Sequence, residues 1–330
     1  MSYFVSETIP NVKNAGNKAR KDCKTIFKNA NFKEISFVDR NNRLRNAIEL
    51  IKLIKKVPKE ELLYIQYPFI CKINWLFSYI CKRRKVVVLI HDLDELRYSE
   101  DINVLKNKLK VLNKARYIIS QTPQMTDLMS NNGILKNKIY TLNLFDYLVK
   151  NNATNHRNDQ NLICFSGDLG KSKFIYKIPQ KIIKYGFNLY GIGLNDKKLP
   201  QNMNYRGAFS PEIIPSKLKG NYGLVWDGND INTCSGMIGN YLKYNDPHKL
   251  SMYIVANMPI IIWKEAAEAR LVKKYDIGLT VDSINEIPQV IEKVSENQYK
   301  QMQQNIKHLS QKVSKGYFLN KQIELIEANK

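Results

Sequence analysis

The chain has 330 residues, of which 44% are hydrophobic and 25% are charged. This composition is typical of a globular protein and excludes a disordered one, and the length favours two domains. No apolar run approaches the roughly 18 residues needed to span a bilayer, and the first residues lack the order of a signal peptide. We therefore expect a cytoplasmic protein without stable membrane insertion.

The formal net charge of +22 indicates an anionic partner, for which nucleic acid, anionic lipid and nucleotide phosphates all qualify. No nucleic-acid-binding motif accompanies the charge, so we expect no nucleic-acid partner. The five cysteines form no CxxC pair and the four histidines lie far apart in sequence. Neither a disulfide framework nor a metal site is predicted.

The first half of the chain opens with a predicted strand at residues 3–5, a loop, and a helix at residues 18–29. The loop contains Asn14 and Gly16. A glycine between a strand and a helix lets a ligand approach the backbone closely, which makes this loop a candidate for ligand binding. A simple tight turn is an equally good interpretation.

Short apolar runs then alternate with helical patterns, with strands predicted at 35–38 and 62–65 and a helix at 46–56. This order implies a mostly parallel sheet with helices on both faces. Residues 69–80 form the most hydrophobic helix candidate. We expect it to be buried on the sheet or to contact another subunit, in preference to forming a membrane-facing ridge beside the basic residues 82–85.

A continuous apolar run at residues 86–90 predicts a buried strand that ends in His91 and Asp92. Residues at the carboxyl end of a parallel strand face the ligand crevice. Histidine titrates near neutrality, and an adjacent carboxylate can orient it or act as a base itself. His91 and Asp92 are therefore the candidate acid–base pair. The alternative is that Asp92 caps the following helix and His91 is a turn residue.

Two further strands are predicted at 117–120 and 139–142, and the polar stretch after Val149 is the clearest linker. We predict an N-terminal domain at 1–150, a linker at 151–160, a C-terminal domain at 161–310 and a terminal helix at 311–330. The second domain opens with a strand at 162–165 and a glycine-flanked basic loop containing Lys171 and Lys173. The loop lacks the glycine spacing of a P-loop.

The most informative stretch lies between residues 221 and 281. A buried run at 222–226 is followed by a polar segment and then by Tyr244-Asn245-Asp246-Pro247-His248-Lys249. Proline suits the first turn of a helix, where its missing N–H is not needed. That turn would aim backbone amides, His248 and Lys249 at one point, and a phosphate is its natural occupant. The helix should end near Asn257, before a strand at 260–263.

The order GLVWDG…YNDPHKLSMYIVANMPIIIW resembles the donor-binding half of GT-B glycosyltransferases. More narrowly, it resembles the bacterial group that contains the glucosyltransferase extending N-acetylglucosamine on serine-rich repeat adhesins, together with its galactofuranosyltransferase relatives. The resemblance implies an α/β protein of GT-B fold, with two Rossmann-like doubly wound domains facing a central cleft and a terminal helix that crosses back. It also implies a UDP-sugar donor, a glycosylated acceptor protein, and a homo-oligomer, either a dimer or a tetramer.

The resemblance also implies roles for individual residues. Asn14 and Gly16 would face the cleft, Lys171 and, less strongly, Lys173 would contact the donor, and Tyr205, Gly207 and Phe209 would surround the nucleobase. Lys249, supported by His248, Asn245 and Lys171, would stabilise the charge that develops on the leaving phosphate, without a metal. If the reaction inverts the anomeric centre, Asp92 or His91 would be the base.

Asp92 and Asp94 also match the metal-binding DxD motif of the other glycosyltransferase fold, GT-A. We discount that match because the better phosphate site lies about a hundred and fifty residues later. The function predicted from the sequence is transfer of glucose from UDP-glucose to N-acetylglucosamine on a serine-rich repeat protein. The alternatives are a galactofuranosyltransferase of polysaccharide synthesis and a non-catalytic GT-B subunit that assists a partner.

Overall fold

A computed structural model describes residues 1–8, 15–38, 42–68, 74–149, 162–183, 185–194 and 199–330. They form two compact units. Unit 1 consists of residues 1–145 and 316–330, and unit 2 of residues 146–315. Asn14 and the linker predicted at 151–160 lie outside the described residues.

The strands are, in chain order, β1 (Tyr3–Thr8), β2 (Lys33–Val38), β3 (Leu62–Tyr67), β4 (Lys85–Ile90), β5 (Tyr117–Ser120), β6 (Ile139–Thr141), β7 (Ile163–Ser166), β8 (Phe187–Tyr190), β9 (Met203–Gly207), β10 (Tyr222–Val225), β11 (Ile260–Trp263) and β12 (Gly278–Val281). The α-helices are α1 (Ala15–Asn29), α2 (Arg43–Ile54), α3 (Asn74–Cys81), α4 (Asp94–Arg97), α5 (Ile102–Leu112), α6 (Pro123–Asn131), α7 (Gln180–Ile183), α8 (Ile214–Lys217), α9 (Gly236–Tyr241), α10 (His248–Val255), α11 (Ala269–Lys274), α12 (Ile287–Glu292), α13 (Glu296–Val313) and α14 (Tyr317–Ala328).

Unit 1 is built on a parallel six-stranded sheet with the order β2-β1-β3-β4-β5-β6. Strands β3 and β4 are buried along their lengths, as expected for central strands covered on both faces. The strand order reverses direction at β1. Because crossovers between parallel strands are right-handed, α1 lies on one face of the sheet and α2, α3, α5 and α6 lie on the other. Helix α14 packs against α1 and β6.

Unit 2 contains a second parallel six-stranded sheet, with the order β12-β11-β10-β7-β8-β9. This is the strand order of a dinucleotide-binding fold, and its direction reverses between β7 and β10. Ligands of such sheets bind outside the carboxyl ends of the strands at this switch point. Helix α10 follows β10 in the chain and packs against β10, β11 and α13.

The prediction of an α/β protein with two doubly wound domains is confirmed by these sheets. One local prediction is wrong. Gly16 was expected in a loop, but α1 begins at Ala15, so the backbone of Gly16 belongs to the first helical turn.

The hydrophobic helix predicted at 69–80 corresponds to α3, and its residues 69–73 lie outside the described part of the chain. Burial is confirmed for one side of α3, where Leu76, Phe77 and Ile80 face the core, whereas Trp75 is 56% exposed. Among the described residues, no helix combines the length and the apolarity required to cross a membrane.

Candidate functional site

The ammonium group of Lys249 lies at the switch point of the unit 2 sheet. Its Nζ donates a hydrogen bond to the carbonyl oxygen of Trp226 at 3.2 Å and lies 3.1 Å from Asp227 Oδ1, and both of these residues directly follow β10. On the β7 side, Nζ lies 4.8 Å from the centre of the Phe165 ring. A Cβ atom at Gly167 would lie 3.9 Å from Nζ. The lysine therefore stands between the ends of the two strands at which a ligand is expected.

The start of α10 gives Lys249 this position. Pro247 occupies the N-cap with an extended backbone, and His248 and Lys249 are the first two helical residues. The backbone N–H groups of a first turn have no partners within the helix, so the turn presents positive charge beside the lysine. The predicted end of the helix is also confirmed, since Asn257 adopts a left-handed conformation with φ of 53°.

His248 points to a residue that the sequence did not single out. Its ring stacks on the ring of Tyr147, with a centroid distance of 4.8 Å and an angle of 25°. Tyr147 is buried, and its hydroxyl donates to the carbonyl oxygen of Pro211. Stacking on a fixed ring limits the orientations open to the imidazole, so Tyr147 positions His248. Tyr147 and His248 are distant in sequence, and no local pattern connects them.

Asn245 lies three residues before His248, the first helical residue of α10. Its Oδ1 is shielded from solvent and has no hydrogen-bond partner within the described part of the chain. A shielded amide oxygen that lacks a partner costs free energy, which is typical of residues kept for binding. Its predicted role in donor binding stays a prediction.

Lys171 lies in the loop that follows β7. Asp168 Oδ1 accepts hydrogen bonds from the backbone N–H groups of Gly170 and Lys171, both at 3.1 Å, and this fixes the turn. The side chain of Lys171 is 71% exposed and its Nζ lies 3.8 Å from Asp168 Oδ2. The loop and Lys249 share the carboxyl edge of the sheet, but the role of Lys171 as a second cation stays a prediction.

Glycines bring the loops after β7 and β8 into close contact. A Cβ atom at Gly191, where φ is +134°, would lie 1.8 Å from the carbonyl oxygen of Gly167. Any side chain at Gly191 would therefore separate the two backbones. The hydroxyl of Tyr205 donates to the carbonyl oxygen of Gly191 at 2.9 Å, and Gly207, with φ of +101°, ends β9. The predicted nucleobase residues thus lie at the carboxyl end of this strand.

Two acidic side chains are buried beside the Lys249 helix turn. Asp246 immediately precedes Pro247, and Glu268 stands at the N-cap of α11; both are buried. Neither carboxylate oxygen of Glu268 has a hydrogen-bond partner among the described residues, and Arg270 Nη2 lies 3.7 Å from Oε1. Burial, followed by the charge of Asp246, raises the pKa of Glu268 well above its usual value.

In unit 1, His91 directly follows β4, at the carboxyl end of the sheet. Its Nε2 lies 2.7 Å from Gln66 Oε1, and its ring stacks on Phe145 with a centroid distance of 5.2 Å. Gln121 Nε2 donates to the carbonyl oxygen of His91. The ring is therefore held on its edge by Gln66 and on its face by Phe145, and Gln121 holds the backbone.

Asp92 forms an ion pair with Arg97, whose Nη1 lies 3.3 Å from Asp92 Oδ2. The alternative interpretation made Asp92 the cap of the next helix, but Leu93 occupies the N-cap of α4. Both Asp92 and Arg97 are about one-third exposed, so the carboxylate is open to solvent. The catalytic role of this pair stays a prediction. Within the described ranges, no three His, Cys, Asp or Glu side chains gather in a way that would hold a metal ion.

Two doubly wound units, one with a lysine and a helix N-terminus at its switch point, are the architecture of the GT-B fold. The chain belongs to the Glucosyltransferase 3-like family. The model of the family's N-terminal domain matches residues 2–144 and that of its C-terminal domain matches residues 163–326. The resemblance seen in the sequence is thereby confirmed, and the chain is a nucleotide-sugar-dependent glycosyltransferase.

Two relatives illustrate the range of the family. The β-1,6-galactofuranosyltransferase WbbI of Escherichia coli K12 is 31% identical over 336 residues, which cover 98% of this chain and 97% of that protein. Glucosyltransferase 3 of Streptococcus gordonii is 25% identical over 240 residues, covering 72% of this chain and 69% of that protein.

Solved structures share the fold at low sequence identity. Anabaena HepE in complex with UDP-glucose has a TM-score of 0.64 and 11% identity, with full coverage of both chains. The lipopolysaccharide outer core galactosyltransferase WaaB in its apo form has a TM-score of 0.66 and 10% identity, also with full coverage of both chains. At such identities, the likeness establishes the fold alone.

Proposed function

We propose that the chain transfers a hexose from a UDP-sugar and that Lys249 binds the diphosphate of the donor. The position of the Lys249 ammonium carries this proposal, because it stands at the switch point beside a helix N-terminus and the glycine backbone at Gly167. Proteins bind a diphosphate through cations, through backbone N–H groups of a first helical turn, and through glycine backbone that the phosphates can approach closely.

The contacts of Lys249 suggest how it acts. Its ammonium pairs with Asp227 and with a backbone oxygen. A diphosphate carries more negative charge than one carboxylate and would compete with Asp227 for the same ammonium. As the anomeric bond breaks, negative charge grows on the leaving phosphate, so the lysine stabilises the transition state more than the ground state.

The donor sugar that we propose is galactofuranose. The galactofuranosyltransferase WbbI matches nearly the whole chain at 31% identity, whereas the Streptococcus gordonii glucosyltransferase matches 72% of it at 25%. Glucose, expected from the sequence, is the second candidate, and the family models named for a glucosyltransferase favour it. If the donor sugar is glucose, the acceptor that we propose is a sugar attached to a protein. If the donor sugar is galactofuranose, the proposed acceptor is a growing polysaccharide.

We propose that catalysis needs no metal ion, because Lys249 and the N-terminus of α10 can supply the positive charge that the leaving diphosphate requires. On the acceptor side, the proposed base is Asp92 or His91. Gln66 and Phe145 orient the ring of His91, as an acid–base residue requires.

Titration calorimetry with UDP, UDP-galactofuranose and UDP-glucose, in the presence of a chelator, tests this proposal. We expect Lys249→Ala to weaken UDP binding by about 30-fold to 1,000-fold, the range expected for a lost charge-assisted contact of about 2–4 kcal/mol. Lys264→Ala is the matched control, since Lys264 is exposed and pairs with Asp282 at 2.8 Å.

Four outcomes of the titration carry different meanings. Unchanged UDP binding by Lys249→Ala would refute the assigned role of the lysine. Binding that disappears in chelator would refute metal independence. Tighter binding of UDP-glucose than of UDP-galactofuranose would favour the glucosyltransferase. No nucleotide binding by the wild type would favour a non-catalytic subunit.

A further inference from the structure

Helices α2, α3 and α5 form one outer face of unit 1, which we call the α2–α3–α5 face. The three helices connect successive parallel strands (β2 to β3, β3 to β4 and β4 to β5) by right-handed crossovers that run in the same direction across the sheet, so they cover the same side of it. α3 packs against both α2 and α5. Their outer surfaces therefore form one broad, continuous face.

This face is strongly basic. Residues 43–60, 74–85 and 101–116, which comprise the three helices and their adjoining turns, contain 15 Lys and Arg but only 3 Asp and Glu. Some of these cations have partners, such as Lys85, which pairs with Glu60 at 2.9 Å. Others are exposed and have no acidic group within 4 Å in the described part of the chain: Lys52, Lys55, Lys56, Lys82, Lys106 and Lys110.

Large apolar side chains are exposed on the same helices. Leu44 is 68% exposed and Ile48 follows one turn later on α2, Trp75 is exposed on α3, and Ile102 is exposed at the start of α5. An exposed tryptophan and exposed aliphatic side chains on one face cost hydrophobic free energy in water. Such a group within a basic surface indicates a partner that is both anionic and apolar.

We propose that the α2–α3–α5 face adsorbs to an anionic membrane surface. Lipid phosphates would contact the lysines, while Trp75, Leu44 and Ile48 would enter the interface between headgroups and acyl chains. Two other partners fit less well. A second copy of the face would bring its cations against cations, and a nucleic acid would leave the aliphatic side chains without a partner. The proposed contact is adsorption to the surface and involves no spanning helix.

Tryptophan fluorescence tests this proposal directly. The chain has three tryptophans, and Trp226 and Trp263 are buried, so only Trp75 can change its contact with solvent when a vesicle binds. Vesicles of phosphatidylcholine with phosphatidylglycerol should shift the emission to the blue and protect it from acrylamide, whereas pure phosphatidylcholine should not. High salt should reverse the shift. Trp75→Phe should abolish the signal.

Charge variants measured by co-sedimentation with the same vesicles provide the matched control. Replacing Lys52, Lys56 and Lys82 by Ala should lower partitioning about fivefold for each lysine. Replacing Lys273, Lys293 and Lys307, which are exposed on unit 2, removes the same charge elsewhere and should change partitioning far less. UDP affinity should be unchanged in both triple variants, which separates this proposal from the proposed function.

Three results would overturn the membrane assignment. The first is equal binding to the two kinds of vesicle, and the second is an equal loss in both triple variants. The third is self-association without lipid, measured by analytical ultracentrifugation, that Leu44→Ser abolishes. That result would make the face an interface between copies of the chain.

Discussion

Lys249 combines a charge with a half-buried position. Its ammonium lies over the ring of Phe165 and close to Asp227, so the charge keeps a partner without a ligand bound. An unpaired cation in this position would be costly, and the carboxylate of Asp227 offsets that cost. A lysine held in this way loses little conformational freedom when a diphosphate replaces the carboxylate. Its affinity for the diphosphate is therefore higher than that of a lysine that is ordered only on binding.

Glu268 is the residue whose ionisation should most affect stability. It is buried, its carboxylate has no hydrogen-bond partner among the described residues, and its pKa is raised from 4.5 by burial and by the charge of Asp246. The folded state therefore binds the proton of Glu268 more tightly than the unfolded state does. Its favourable contribution is complete below pH about 4.5 and is lost as the pH rises toward the raised pKa.

We predict that Glu268→Gln raises the melting temperature at neutral pH and that the gain becomes smaller as the pH falls toward 4.5. Glutamine keeps the size of the side chain and removes the charge. Thermal unfolding across this pH range measures the effect. Glu265→Gln is the control, because Glu265 lies three residues earlier, is exposed and pairs with Lys243. A gain that does not vary with pH would contradict the prediction.

Among single residues, the sequence predicted those that can be recognised from their immediate neighbours in the chain. Pro247, His248 and Lys249 could be found because a proline followed by cations at a helix start has a direct physical meaning. Their partners could not be found in this way. Asp227, Phe165 and Tyr147 reach the site from other elements, and only the packing of the fold brings them there.

At the scale of elements, β10 and α10 interlock through one glycine and one tyrosine. A Cβ atom at Gly223 would lie 2.4 Å from the ring of Tyr253, so the strand accepts only glycine while the ring stays in place. The hydroxyl of Tyr253 accepts a hydrogen bond from the backbone N–H of Ser166 at 2.9 Å. Since Tyr253 stands one turn after Lys249, this contact sets the position of α10 relative to both strands of the switch point.

We predict that Gly223→Ala destabilises the protein by about 1–3 kcal/mol through overpacking and weakens UDP binding, because α10 must move away from β10. Tyr253→Phe keeps the ring and loses only the hydroxyl contacts, so it should cost about 1 kcal/mol and leave α10 in place. Urea denaturation and titration calorimetry measure the two effects. Normal UDP affinity in a folded Gly223→Ala variant would show that the helix position does not govern donor binding.

Element boundaries followed from sequence where the signals were strong. The strands predicted at 117–120 and 260–263 match β5 and β11, since both are short, mainly apolar runs. The error at Gly16 has a physical cause. Glycine was read as a break, but glycine is tolerated within helices at a cost of only about 1 kcal/mol, and α1 starts before it.

At the scale of the whole molecule, the chain returns at its C-terminus to the unit in which it began. Helix α14 belongs to unit 1 and buries Leu319, Ile323 and Ile326. Glu327 Oε1 accepts hydrogen bonds from Ser2 Oγ at 2.6 Å and from the Tyr64 hydroxyl at 3.1 Å. The sequence predicted a terminal helix at this place, but no pattern within a single helix identifies the surface that its apolar side covers.

Because α14 completes the core of unit 1, a substitution that weakens the packing of α14 should destabilise unit 1. We predict that Ile326→Ala lowers the free energy of unfolding of unit 1 by about 2–5 kcal/mol, as expected for a large side chain removed from a packed core. Hydrogen exchange followed by mass spectrometry should then show faster exchange in β1 and β3 and unchanged exchange in the strands of unit 2. Leu325→Ala is the matched control one residue away, since Leu325 is 45% exposed and its loss should leave exchange in both units near the wild-type level. The buried side chains of α14 and its hydrogen bonds to Ser2 and Tyr64 assign it a role in the core of unit 1. An equal rise in exchange in both variants, or a rise in unit 2, would contradict that role.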